Sequence, residues 1–66
     1  MKSSELKLGD VLVRFIGGQK LQVVVNGLSG EDVYFENYPR PTRLFSQSRR
    51  TFEKTKWTKL GNISKG

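Results

Sequence analysis

The chain contains neither cysteine nor histidine in its 66 residues. Without cysteine there is no disulfide and no thiol nucleophile, and without histidine there is no imidazole acid–base chemistry. The two absences together remove the usual zinc-ligand sets. Long apolar runs are missing too. The longest, Val11-Leu12-Val13 and Val23-Val24-Val25, fall far short of the roughly 20 residues of a membrane span. The opening Met1-Lys2-Ser3-Ser4-Glu5-Leu6-Lys7 has no apolar stretch of the kind a secretory signal needs. These absences predict a soluble, cytoplasmic protein with no cofactor and no membrane partner.

Acidic residues are scarce in one part of the chain. Six Asp or Glu face twelve Lys or Arg overall, for a net charge of +6. From residue 40 onward, Arg40, Arg43, Arg49, Arg50, Lys54, Lys56, Lys59 and Lys65 meet one acid, Glu53, a local net of +7. Residues 1–39 carry four basic and five acidic side chains, a net of −1. A charge imbalance of this size in a small chain points to a polyanionic partner.

Sixty-six residues make one domain, and a core this small is only marginally stabilising. A hydrophobic content of 35% with seven aromatic residues is enough to collapse. The domain is expected to cover about residues 5–63, with 1–4 and 64–66 as frayed ends.

Period-two alternation runs through the first half. Val11, Val13 and Phe15 share one strand face, and Leu21, Val23 and Val25 form a second alternating face. Gly17-Gly18 between them suits a hairpin loop. Asn26-Gly27 and Ser29-Gly30-Glu31-Asp32 are both turn signals. The second is favoured, with Gly27 as a bulge in a curved strand. In the next strand Val33 and Phe35 face one way, and Tyr34, Glu36 and Tyr38 the other. Pro39 and Pro41 then exclude an inner strand. A short fourth strand is expected at Thr42-Arg43-Leu44-Phe45. Ser46-Gln47-Ser48 offers N-cap side chains for a helical turn over Arg49-Arg50-Thr51-Phe52, with a fifth strand at Trp57-Thr58-Lys59-Leu60. The competing reading is one amphipathic helix over residues 47–60.

This order resembles that of SH3-like small β-barrels. Leu8-Gly9-Asp10-Val11-Leu12-Val13 is similar to the Gly-Asp-x-Val first strand of SH3-like, KOW-type and Tudor-type domains. The run from Leu44 to Trp57 looks like the closing element of short bacterial and phage barrels, a strand, a one-turn helix with a Phe, then a sealing aromatic. The resemblance implies an all-β, five-stranded SH3-like barrel with one short helical turn before the last strand. It implies no particular ligand.

Four constellations bear on function. Arg40, Arg43, Arg49, Arg50, Lys54, Lys56 and Lys59 are candidate phosphate contacts, their ordinary role being a solvated face. Tyr34 and Tyr38 can stack on unpaired bases or line a peptide groove, or simply pack across a strand pair or on the proline loop. Phe52 and Trp57 read as core plugs. The carboxylates form no acid–base pair, and Gly17-Gly18-Gln19-Lys20 lacks the spacing of a phosphate loop. No enzyme activity is expected. The leading expectation is nucleic-acid binding, DNA or RNA, through phosphate contacts from the C-terminal part. The alternative is a protein-interaction module that takes an acidic or extended partner, as mobile elements such as phages use against host proteins. A homo-oligomer that builds a site between copies is the third option.

Overall fold

The computed structural model describes residues 1–63. A 3-10 turn, Ser3–Glu5, leads into β1 (Asp10–Ile16), β2 (Gln19–Leu28), β3 (Asp32–Asn37) and β4 (Leu44–Ser48). A six-residue helix, α1 (Arg49–Lys54), precedes β5 (Thr58–Asn62). The strands form one antiparallel sheet in the order β4-β3-β2-β1-β5. The fold is therefore all-β, with one short helix before the last strand, as the resemblance to SH3-like barrels implies.

Turn chemistry sets the register. Ile16 pairs with Gln19, so Gly17-Gly18 is a two-residue hairpin loop. Both glycines have positive φ, +55° and +79°, which only glycine adopts without strain. The turn between β2 and β3 is at residues 29–32, where the Ser29 N–H donates to the Asp32 carbonyl at 3.0 Å. The Ser29 hydroxyl also accepts from the Asp32 N–H at 2.9 Å. The expected bulge is present, because the β2–β3 register shifts between Val25 and Gly27. A Cβ on Gly27 would lie 3.1 Å from the Tyr34 ring, so glycine admits the close approach of that side chain.

The core is built from Leu6, Leu12, Val23, Val25, Val33, Phe35, Phe52 and Trp57. In β1 it is Leu12 that belongs to this cluster. Val11 and Val13 are also buried, but on the opposite face, with Val11 opposite Val24. Phe15, on that same face, is 70% exposed near the hairpin tip. Asp10, Val11, Leu12 and Val13 are consecutive and all buried, so the first half of β1 is covered on both faces and alternation alone does not select one.

Three expectations are corrected here. The fourth strand begins at Leu44 rather than Thr42, and the fifth runs Thr58–Asn62, leaving Trp57 in the preceding linker. The favoured short helical turn forms and the competing long helix over residues 47–60 does not: α1 stops at Lys54, where the Thr55 N–H caps the Thr51 and Phe52 carbonyls. Residues 1–4 pack against the fold instead of fraying. Ser3 is buried, and Met1 lies on the core. The expected loose end at residues 64–66 lies outside the described residues. No helix among the described residues is long and apolar enough to cross a membrane.

Candidate nucleic-acid interface

Helix α1 presents three different faces. Ser48 is its N-cap, accepting from the Thr51 N–H at 3.1 Å. Phe52 points inward and is fully buried. Arg49 and Glu53, one turn apart, turn toward the N-terminal segment and the β2–β3 turn. Arg50 and Lys54, also one turn apart, share an exposed side.

Arg49 is used inside the fold. Its Nε and Nη2 donate to the Ser29 carbonyl at 2.9 and 2.6 Å, and its Nη1 donates to the Ser3 carbonyl at 3.0 Å. One guanidinium thus joins three segments distant in sequence. Glu53 faces the same region and accepts from the Ser3 N–H at 3.0 Å and the Ser3 hydroxyl at 2.8 Å. Those bonds, first from the backbone N–H and then from the hydroxyl, hold its carboxyl below the ordinary 4.5 against the opposing effect of desolvation. The single acid of the basic segment is therefore turned to the N-terminus.

Lys59 is also engaged. Its Nζ lies 3.3 Å from Oδ1 of the fully buried Asp10. Asp10 further accepts from the Lys7 N–H at 2.9 Å and from Asn62 Nδ2 at 2.8 Å. Burial pushes this carboxyl up. The bonds from Asn62, Lys7 and Lys59, with the Lys59 charge, outweigh burial and bring it below 3.8. The latch holds β5 against β1.

Both carboxylates contribute stability that is present above their unfolded-state values, about 4, and lost as pH falls through the lower folded-state values. Thermal melts from pH 7 to pH 2 are expected to show Tm falling from about pH 4 downward. Asp10→Asn is expected to flatten that fall. An unchanged acid profile in Asp10→Asn would remove Asp10 from this account.

The remaining candidate cations, Arg40, Arg43, Arg50, Lys54 and Lys56, are exposed. Among the described residues none of them is in an ion pair, the Lys59–Asp10 pair being the one present. They fall into two groups. Arg40 and Arg43 precede β4, while Arg50, Lys54 and Lys56 follow it. Five strand residues separate the groups by roughly 16 Å. β4 is an edge strand, paired with β3 alone.

The tyrosines differ in placement. Tyr34 is 42% exposed and lies on Gly27 across the strand pair. With Asn26, Leu44 and Phe45 it lines a shallow depression of about 260 Å³. Tyr38 is half-buried, and its N–H donates to the Gln22 carbonyl at 3.1 Å.

A larger groove of about 270 Å³ lies between β4 and the β1–β2 hairpin. Phe35, Phe45 and Trp57 supply aromatic walls, Leu21 and Val23 an aliphatic floor. Trp57 Nε1 donates to Gln47 Oε1 at 3.1 Å, and Gln47 Nε2 donates to the Thr55 hydroxyl at 3.2 Å, which locks the indole in place. The Arg14 guanidinium carbon stands 5.6 Å from the Trp57 ring centroid, and that of Arg43 stands 5.2 Å from the Phe45 ring centroid. Sequence reading missed Arg14. Its only signal was its place on the Leu12 side of β1, visible once that side was known to face inward.

Fold and site together define a small all-β protein with an edge strand flanked at both ends by basic residues and an aromatic, arginine-flanked groove. Comparison with family models, with curated proteins and with solved structures finds no match to this chain.

Proposed function

We propose that this protein binds nucleic acid, chiefly through phosphate contacts from the basic residues that bracket β4. The observation that carries the reading is the division of labour among the cations. Arg49 and Lys59 are committed to the fold, while Arg40, Arg43, Arg50, Lys54 and Lys56 remain exposed without acidic partners among the described residues. The surface is non-catalytic in this reading. Backbone contacts dominate, so binding is largely independent of sequence.

Five phosphate contacts give a log–log salt dependence of affinity for duplex DNA with a slope of roughly −4 to −5. The measurement is a titration against duplex DNA, single-stranded DNA and RNA at several salt concentrations. A slope near zero, or no binding to any of the three, would sink the proposal. The unpaired outer edge of β4 favours a second reading, a module that adds an acidic, extended peptide as a further strand. Nuclease-treated pull-downs that still recover a protein on that edge would support it.

A further inference from the structure

We infer that the groove between β4 and the β1–β2 hairpin receives an unpaired base, and that the protein therefore prefers single-stranded nucleic acid. The inference rests on the nucleic-acid reading above and narrows it to a substrate class.

The groove joins two features that a single strand presents in alternation. Its walls are apolar and aromatic, with half-buried Phe45 and Leu21 open to it and the buried Phe35, Trp57 and Val23 forming its back. At about 270 Å³ it is just below the roughly 300 Å³ at which drug-sized pockets begin, which suits one flat heteroaromatic group. Its rim is cationic. Arg14 stands over Trp57 and Arg43 over Phe45, and neither is in an ion pair among the described residues. A guanidinium placed over a ring is oriented by it and keeps its N–H edge for a phosphate oxygen.

Duplex DNA offers phosphates to the rim and hides its base faces. A single strand offers both together, and every base has a face to stack. The other cations around β4 then follow the flanking backbone. An acidic peptide satisfies the arginines and leaves the ring-lined walls without a flat partner, so the observations favour the base.

Trp57 is the single tryptophan of the chain and forms one wall of the groove, so its fluorescence reports occupancy directly. The experiment titrates the full chain with a single-stranded DNA 12-mer, the same sequence as RNA, and the matching DNA duplex, at one salt concentration. The expected result is quenching of Trp57 by both single strands and tighter binding of them than of duplex. Phe45→Leu keeps an apolar side chain and removes the ring. It is expected to lower the ratio of single-strand to duplex affinity on the order of tenfold. Leu21→Ala, in the apolar floor, provides a second variant should Phe45→Leu fail to fold, and it is expected to lower the same ratio.

Steeply salt-dependent binding with silent Trp57 fluorescence and an unchanged ratio in both variants would overturn the groove while leaving the phosphate surface standing. A glutamate-rich peptide that quenches Trp57 and displaces the strand would overturn the occupant. No binding to any nucleic acid would remove both readings together.

Discussion

Phe52→Ala is expected to leave the chain largely unfolded at 25 °C. Phe52 is fully buried and is the only side chain of α1 that enters the core. Its ring stacks on Phe35 with centroids 6.0 Å apart, and Phe35 in turn meets Trp57 at 5.4 Å. The helix, β3 and the linker before β5 are thereby joined through three rings. Truncating a buried Phe to Ala costs about 3–5 kcal/mol, through lost transfer energy and the cavity left behind. A 66-residue domain has roughly 3–10 kcal/mol of total stability. With no disulfide or other covalent link to limit the loss, most of that margin goes. Circular dichroism and urea denaturation would measure it. A Phe52→Ala protein that melts within a few degrees of the parent would mean that the three-ring contact is not what holds α1 to the sheet.

The second large effect separates two neighbouring arginines. Arg49→Ala is expected to destabilise the fold by about 2–3 kcal/mol, because it removes charge-assisted hydrogen bonds to the Ser29 and Ser3 carbonyls. Arg50→Ala is expected to change stability by less than about 0.5 kcal/mol, since its exposed side chain holds nothing in the fold. Nucleic-acid affinity should follow the opposite order. At a temperature where both variants are folded, Arg50→Ala loses a phosphate contact and reduces the salt slope by about one. Arg49→Ala keeps the parent slope. Equal stability losses in the two variants, from paired denaturation curves, would contradict the division of labour on which the phosphate surface rests. Arg49→Lys adds a control: it keeps the charge but cannot reproduce the fork that reaches two carbonyls, so it should recover little of the lost stability.

Much of the architecture was legible because it depends on local chemistry. Gly17-Gly18 meets the positive-φ demand of a two-residue hairpin, and Ser48 caps the helix that follows it. Val33 and Phe35 face inward and Tyr34 outward because alternation in β3 is clean. Phe52 and Trp57 are buried, as large aromatics in so small a core must be. Where apolar residues lie on both faces, or where a bulge breaks the period, local reading failed. Leu44 and Leu60 are the aliphatic residues of the expected fourth and fifth strands, yet they are 72% and 55% exposed. Leu44 pairs with Glu36 on the outer face of the sheet. Leu60 falls in the register shift that leaves Lys59 opposite Leu12 and Gly61 opposite Val11.

The sequence by itself determined an all-β chain, its turns, its helix start and the concentration of positive charge after residue 39. Those follow from backbone preferences, side-chain alternation and composition, which act over a few residues or not through geometry at all. Only the tertiary structure decided which cations are available. Arg49 and Arg50 are identical in chemistry and adjacent in the chain. A 100° step around the helix sends one to the Ser29 and Ser3 carbonyls and the other to solvent. The same holds for Arg14, which reads as an ordinary strand arginine until β1 and the linker before β5 bring it over Trp57. Long-range approach assigns each charge its partner, and that information resides in the packing of segments up to 54 residues apart in the chain.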